Sequence, residues 1–172
     1  MTEEAFISIG SNIDPEAHIS KALEQIAHRL DLTALSTFYW SEPIGRPEQP
    51  RFLNGVAAVR VALTPRELKF GVLRPIEGDL GRIRTEDGYA PRVIDLDILL
   101  YGEAVIDEPG LRIPDPDIRS RPFLAAPLLD LAPGLLMPDH GEPLSAIVEA
   151  LDQGNLIPAT RPSALWRERW CP

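Results

Sequence analysis

Two aspartates interrupt an apolar run in the segment GYAPRVIDLDILLYG, residues 88–102. Successive side chains of a strand point to opposite faces, so Asp95 and Asp97 are expected on one face, with Cα atoms roughly 7 Å apart. The aliphatic residues that alternate with them are expected on the other face: Ile94, Leu96, Ile98 and Leu100. Neighbouring carboxylates repel each other, and Mg²⁺, which takes one or two carboxylates together with water and phosphate oxygens, would relieve that repulsion. The alternative is the solvent-exposed face of an ordinary strand.

Arginines cluster around this strand although the whole chain is acidic, with a net charge of −9. Guanidinium groups bind phosphate oxygens in bidentate fashion, so arginines beside a carboxylate pair are typical of a polyphosphate site. For the arginines of the preceding loop, the alternative is pairing with Glu86 and Asp87. The five arginines are Arg82, Arg84, Arg92, Arg119 and Arg121.

The polar loop 81–92 is long enough to have a function of its own. Its glycines, Gly81 and Gly88, and its arginines suit a lid that closes over a charged substrate and excludes water. An ordinary surface connection is the alternative.

Phe52, Asn54 and Phe123 suit a flat heterocycle. Such a ring would stack between the two aromatic side chains while the amide forms hydrogen bonds with its edge. The alternative places both phenylalanines in the core.

Composition narrows the class of function. The net charge of −9 argues against a general binder of nucleic acid or of anionic membranes. The single cysteine, Cys171, excludes a disulfide framework and a cysteine metal site. No apolar stretch approaches the ~18 residues that cross a bilayer, and the acidic N-terminus is unlike a signal peptide. We therefore expect a cytoplasmic protein, one domain over 1–172, that binds neither nucleic acid nor membrane. We also expect a monomer whose partners are small molecules.

The apolar periodicity predicts the elements that hold these residues. Strands are predicted at 5–12, 32–40, 51–63 and within 88–102, with a hairpin around 108–110. Two helices are predicted to start at a proline that follows an N-cap residue: one from Pro15 after Asp14, the other from Pro65 after Thr64 to about Gly78. Two more are predicted over 121–131, with an interruption at Pro127, and within 143–153. This β-α-β-β-α-β order with a helical C-terminal addition predicts an α+β fold. Its ferredoxin-like antiparallel sheet would carry helices on one face and the aspartates on the other, open face.

Six segments together resemble the 6-hydroxymethyl-7,8-dihydropterin pyrophosphokinase family. The most specific is APRVIDLDILLYG, since its Pro-Arg-x-x-Asp-Leu-Asp pattern follows a Phe-Leu-Asn element at the family's distance. The six are ISIGSN at 7–12, STFYWSEPIG at 36–45, FLNGVAAV at 52–59, GRIR at 81–84, APRVIDLDILLYG at 90–102 and RPFLAAPLLDLAP at 121–133.

The resemblance implies transfer of the terminal diphosphate of ATP to the hydroxymethyl group of the pterin, with release of AMP, in folate biosynthesis. It also implies two Mg²⁺ ions held by Asp95 and Asp97, and assistance to transfer from Arg82 and Arg92. The residues that match ATP-binding positions are Arg84, Ile98, Arg112, Asp115 and Arg121. The residues that match pterin-binding positions are Pro43, Ile44, Gly45, Phe52, Asn54 and Phe123. Glu77 matches a site-lining glutamate of open role.

Three positions depart from the family pattern. Asp115 stands where histidine is usual, Pro116 where an aromatic residue often follows, and Tyr89 where tryptophan is frequent. An anion in place of a donor near phosphate would weaken ATP binding. A catalytically weakened pterin- or nucleotide-binding module of the same fold is therefore the alternative, and an unrelated metal-dependent hydrolase that uses the aspartate pair is a third hypothesis.

Overall fold

An antiparallel sheet of six strands forms the centre of the structure, a computed structural model that describes residues 1–172. The strands are β1 Glu3–Ser11, β2 Asp31–Leu35, β3 Tyr39–Ser41, β4 Phe52–Val61, β5 Asp95–Tyr101, β6 Ile106–Glu108, β7 Leu111–Ile113 and β8 Ile157–Pro158. The order in the sheet is β5-β1-β4-β3-β8, and β2 also pairs with β4. β6 and β7 form the separate hairpin predicted from the sequence. The predicted α+β class with an antiparallel sheet is confirmed.

Five α-helices and two short segments of other helical types complete the fold. The α-helices are α1 Pro15–Arg29, α2 Arg74–Asp79, α3 Pro122–Leu131, α4 Leu144–Ala150 and α5 Thr160–Trp170. A π-helical segment, Glu67–Leu73, runs directly into α2, and a 3₁₀ turn, Pro116–Arg119, precedes α3. None of the helices combines the length and apolar character needed to cross a membrane.

Helices cover both faces of the sheet, so the prediction of helices on one face is wrong. The first face packs against α1, the π-helical segment, α2 and α5 through Ile19, Ala22, Leu23, Ile26, Leu68, Leu73, Ile76 and Trp166. The second face packs against α3 and α4 through Ala125, Leu128, Leu144 and Val148. The segment that forms α3 is apolar on nearly all sides, which is typical of a buried helix. The end of the second face that carries Asp95 and Asp97 remains open as a cleft.

The two predicted helix starts differ in how they are capped. α1 begins at Pro15 as predicted, but Asp14 has a left-handed backbone (φ 44°) and its side chain makes no capping bond. At the second start, Thr64 Oγ1 accepts the Glu67 N–H at 3.2 Å and the Thr64 N–H donates to Glu67 Oε2 at 2.8 Å. That reciprocal pair is a capping box, which fixes the beginning of the helix that leads into α2.

Because of a bulge in β5, the four aliphatic residues predicted on one face of the strand do not all lie on that face. Phe6 pairs with Leu100 and Ile7 with Ile98, so Leu99 is an extra residue in β5. Side chains beyond the bulge change faces. Leu100 therefore joins the core of the second face, while the other three predicted aliphatic residues remain in the core of the first face, these being Ile94, Leu96 and Ile98.

Two features near the C-terminus differ from the sequence expectations. α3 runs through Pro127 without interruption, although proline removes one N–H from the helix. The short strand β8 and helix α5 were not predicted. Trp166 of α5 is buried, packs edge-on against Phe38 with ring centroids 4.9 Å apart, and donates through Nε1 to Ser20 Oγ at 2.8 Å. The tail therefore belongs to the core of the first face.

Candidate active site

Two rows of paired residues cross the open part of the sheet, and each ends at one of the two aspartates. In the first row, Asn54 of β4 pairs with Gly10 of β1, and Gly10 pairs with Asp95 of β5. In the second row, Ser8 of β1 pairs with Asp97. Directly paired residues project to the same face. Asn54 and Asp95 therefore lie on one face of the sheet, separated only by a glycine.

These rows form the floor of a cleft of about 380 Å³, a volume in the range of small-molecule sites. The loop after β3, the polar loop, the 3₁₀ turn and the start of α3 surround it. Of the fifteen residues predicted for catalysis, ATP binding or pterin binding, twelve line the cleft: Pro43, Ile44, Phe52, Asn54, Arg82, Arg84, Arg92, Asp95, Asp97, Asp115, Arg121 and Phe123.

Three other predicted residues do not line the cleft. The Ile98 side chain is buried in the core of the first face, although its N–H donates to Asp97 Oδ1 at 2.9 Å. Arg112 is exposed on β7 and pairs at 3.2 Å with Asp107, the residue opposite it across the β6–β7 hairpin. Gly45 has a positive φ of 72°, and a methyl group there would lie 3.6 Å from the ring of Tyr89.

Arginines bind both oxygens of the Asp95 carboxylate. Arg82 Nη1 donates to Oδ1 at 3.1 Å, and Arg92 Nη1 donates to Oδ2 at 2.6 Å. Burial raises the pKa of Asp95, but the positive charges of Arg92 and Arg82 outweigh that effect and hold the pKa below its usual value. Asp95 is therefore ionised at neutral pH, beside the two arginines that the resemblance implicates in transfer.

Asp97 has a different partner, one that the sequence did not suggest. Lys69 Nζ lies 2.9 Å from Asp97 Oδ1, and the lysine is 8% exposed. Both this contact and the hydrogen bond from the Ile98 N–H use Oδ1. Oδ2 of Asp97 therefore remains available to a ligand in the cleft.

The buried Glu77 carboxylate, 1% exposed, holds arginines that line the cleft. Its Oε1 accepts the Leu96 N–H of β5 at 2.8 Å. Arg74 Nη1 lies 3.2 Å from both carboxylate oxygens, and Arg84 Nη2 lies 2.5 Å from Oε2. Glu77 thereby connects the edge of β5 to α2 and to the polar loop.

The arginines of the polar loop 81–92 do not form the local ion pairs that an ordinary surface loop would have. Neither Arg82 nor Arg84 pairs with Glu86 or Asp87, since both arginines turn toward Glu77 and β5. Asp87 instead pairs with Arg46 at 2.5 Å. The Tyr89 carbonyl accepts from Gln49 Nε2 at 2.7 Å. These contacts hold the polar loop against the loop that follows β3.

The predicted heterocycle contacts lie at the other end of the cleft. Asn54 is buried, and its Nδ2 donates to Ser41 Oγ at 2.8 Å. Phe52 and Phe123 both line the cleft and are partly exposed, so neither is an ordinary core residue. This end therefore combines aromatic surface with a fixed amide.

Asp115 closes the cleft on the side of the 3₁₀ turn. Its Oδ1 accepts the Asp117 N–H at 2.9 Å, and its own N–H donates to the Leu99 carbonyl at 2.9 Å. Burial raises the pKa of Asp115 to about 6, and the charges of Asp97 and Asp117 contribute to the rise. Arg119, one of the five clustered arginines, lies elsewhere and pairs with Asp139 and Glu142.

Several residues of the cleft were missed in the sequence. The alternation of β1 could have identified Ser8 and Gly10, because both share the parity that faces the aspartates. Arg74, which also lines the cleft, and Lys69, which contacts Asp97 without lining the cleft, carry no such signal, since a π-helical turn shifts side chains away from the usual helical period. The others that line the cleft include Ser41 and Asp117.

The amino-acid sequence of the chain matches a family model, described as 7,8-dihydro-6-hydroxymethylpterin-pyrophosphokinase (HPPK), over residues 6–133. The chain belongs to this family. A curated HPPK relative from Pseudomonas aeruginosa, named 2-amino-4-hydroxy-6-hydroxymethyldihydropteridine pyrophosphokinase, is 41% identical over 142 residues, which cover 81% of this chain and 86% of the relative. A relative of the same name from Synechocystis is 34% identical, with 86% of this chain and 76% of the relative covered.

Solved structures support the HPPK fold independently of close sequence similarity. The HPPK-DHPS protein of Plasmodium falciparum, a triple mutant with pteroate, superimposes with a TM-score of 0.66 at 13% identity. The match covers 87% of this chain and 43% of that protein, so the chain spans less than half of its length. At this identity the match shows the fold alone.

Family membership decides between the three functional hypotheses. This HPPK chain is an ATP-dependent pyrophosphokinase of folate biosynthesis. The unrelated metal-dependent hydrolase is thereby set aside, and the weakened binding module is not favoured. The resemblance inferred from the six segments is confirmed.

Proposed function

We propose that the cleft transfers the terminal diphosphate of ATP to the hydroxymethyl group of 6-hydroxymethyl-7,8-dihydropterin, giving AMP and the pterin diphosphate. The observation that carries this proposal is the row Asn54–Gly10–Asp95. It joins a fixed amide to a carboxylate held by two arginines within one cleft. A heterocycle and a polyphosphate would thus meet over a single glycine.

The proposed nucleotide half of the cleft is the cationic end. Its guanidinium groups would offset the negative charge of the phosphates. The residues assigned to it are Arg82, Arg84, Arg92, Asp115 and Arg121, all of which line the cleft. Ile98 and Arg112 are left out, because one is buried in the core and the other pairs with Asp107 outside the cleft.

The proposed pterin half is the opposite, aromatic end. The ring would lie between Phe52 and Phe123, and the Asn54 amide, fixed by Ser41, would form hydrogen bonds with its edge. The backbone of 43–45 would complete this subsite. Gly45 would contribute there only through its main chain.

The residues present fit magnesium. Asp95 and Asp97 offer hard oxygen donors in the cleft, with side chains 36% and 35% exposed. No group of three or more His, Cys, Asp or Glu side chains is placed to hold a metal ion, and Mg²⁺ needs fewer, because substrate phosphates and water supply its other ligands. We infer that these two aspartates hold two Mg²⁺ ions, which would supply neutralisation of the ATP phosphates.

The transfer itself requires no covalent enzyme intermediate. The hydroxymethyl oxygen of the pterin attacks the β-phosphorus in line, and the bond from that phosphorus to the oxygen bridging it to the α-phosphorus breaks. AMP leaves with the bonding electrons, and the hydroxyl proton passes to a carboxylate or to water. Arg82 and Arg92 would orient the transferring group and offset its charge.

The proposal also includes the arrangement of the whole chain. We infer a ferredoxin-like core, with β5, β1, β4 and the β2–β3 pair as its four positions, which the order of the sheet supports. Residues 1–172 would act as one pyrophosphokinase domain, a monomer whose partners are its two substrates.

One incubation tests the proposed function. The protein is mixed with ATP, MgCl₂ and the pterin alcohol, and nucleotides and pterins are quantified by chromatography. We expect AMP and pterin diphosphate in equal amounts, and neither product in the presence of EDTA. Binding without turnover would favour the weakened module, while ADP or phosphate formed without the pterin would contradict the proposal.

A further inference from the structure

Lys69 is a buried cation that the proposed chemistry does not yet use. Lysine is rarely buried unless it is paired, and Lys69 is 8% exposed. It lies in the π-helical segment, where its carbonyl accepts the Arg74 N–H five residues later. Such wide turns are frequent at functional sites. The π-helical segment thus carries a buried lysine that contacts Asp97.

The Lys69 ammonium holds the Asp97 carboxylate by one oxygen only. Its Nζ lies 2.9 Å from Oδ1, which also accepts the Ile98 N–H at 2.9 Å. These two contacts fix the orientation of the carboxylate. Asp97 can then offer Oδ2 to the cleft without rotating away.

The same ammonium acts on a second carboxylate. The Asp115 N–H donates to the Leu99 carbonyl, which keeps Asp115 beside the strand that carries Asp97. Burial has the largest influence on the pKa of Asp115 and raises it, whereas the hydrogen bond from the Asp117 N–H and, to a smaller extent, the charge of Lys69 lower it. Lys69 therefore offsets the negative charge of Asp97 through direct contact and acts on Asp115 only through its charge at longer range.

We propose that Lys69 is a positioning residue for nucleotide binding: it orients Asp97 through Oδ1 and offsets the negative charge that Asp97 and Asp115 present to the ATP phosphates. This inference rests on the proposed function, because it requires the polyphosphate to bind beside Asp97. It assigns Lys69 no contact with either substrate.

The charge argument fixes the direction of the effect. Without Lys69, the carboxylates would carry uncompensated negative charge, and polyphosphate binding would weaken. Removing the Asp115 charge from the same variant would restore part of the balance. A lysine that served only the stability of the fold would lower the melting temperature and leave the affinity for nucleotide unchanged.

The test compares Lys69→Met with Lys69→Arg, with the double variant K69M/D115N, and with Lys21→Met. Lys21 is the one other lysine of the chain and lies exposed on α1, so it serves as the matched control. Calorimetry measures the Kd of a non-hydrolysable ATP analogue with MgCl₂. Steady-state kinetics give KM for ATP and kcat, and thermal unfolding without ligand reports on the fold.

We expect K69M to raise the Kd of the analogue and KM for ATP by roughly tenfold, about the effect of 1.4 kcal/mol. K69R should retain most of the affinity, K69M/D115N should recover part of it, and K21M should match the unmodified protein. A folded K69M with unchanged Kd would overturn the assignment, as would a double variant no better than K69M.

If K69M does not fold, Lys69→Gln replaces it, and D115N alone must tighten analogue binding. If the unmodified protein forms no AMP, the proposed function fails; if it turns over normally and K69M binds equally well, only the role of Lys69 fails.

Discussion

Gly10 pairs with Asn54 across the sheet so closely that a methyl group on Gly10 would lie 2.6 Å from Asn54 Oδ1. That distance is far below van der Waals contact. The amide proposed to bind the pterin edge can hold its position because residue 10 has no side chain. A glycine in the middle of a strand lowers the stability of the fold, but at residue 10 only glycine leaves room for the Asn54 side chain.

Replacing Gly10 with alanine should therefore damage pterin binding. The new methyl group would displace the Asn54 side chain and break its 2.8 Å bond to Ser41. We expect kcat/KM for the pterin to fall on the order of 10- to 100-fold, with KM for ATP changed less. Gly134→Ala is the control, since a methyl group there meets nothing within 4 Å. Equal kinetics for both variants would contradict this role of Gly10.

Asp97→Asn should remove most of the transferase activity. It takes a charge from the proposed magnesium site, and we expect a loss of several kcal/mol of transition-state stabilisation, roughly 10³-fold in kcat. Asparagine is preferable to alanine because its Oδ1 can still accept from Lys69, whereas alanine would leave a buried ammonium unpaired. Asp31→Asn, at an exposed ion pair with Arg60, is the matched control. AMP formation is the measurement, and retained turnover would count heavily against the metal assignment.

Glu77→Ala should destabilise the protein more than it alters substrate contacts. The substitution leaves the Leu96 N–H and the neighbouring arginines without their buried acceptor. We expect the free energy of unfolding to fall by about 3–5 kcal/mol, measured by urea denaturation. The exposed Glu86→Ala, in the polar loop, should stay within about 0.5 kcal/mol of the unmodified protein. Similar free energies of unfolding for the two variants would show that the Glu77 contacts do not stabilise the fold.

The ion pairs of Arg119 should make stability depend on pH. Hydrogen bonds from Arg119 lower the pKa of both Asp139 and Glu142. Because folding favours their ionised forms, the stabilisation is complete above the ordinary carboxyl pKa and is lost as the pH falls through the lowered values. Arg119→Met should cost about 1–2 kcal/mol at pH 7. Urea denaturation of both proteins at pH 7 and at a series of lower pH values measures the effect, and their difference should shrink as the pH falls below the ordinary carboxyl pKa. A constant difference would contradict the assignment.

The local sequence determined much of this protein. Alternating residues predicted β5 and put Asp95 and Asp97 opposite Leu96 and Ile98, because the side-chain period of a strand is fixed by its backbone. The motif segments identified the family, since a binding site for phosphates and a heterocycle requires particular side chains at particular spacings. These conclusions need no information about distant contacts.

Tertiary structure alone decided the environment of those residues. No local pattern reveals that Lys69 meets Asp97 or that Glu77 holds the Leu96 N–H, since each contact depends on how a helix packs against a strand far along the chain. The bulge at Leu99 likewise arises from pairing with β1 and reverses the face of Leu100. A strand or helix specifies its own period, but the partner of a buried charge is chosen by packing.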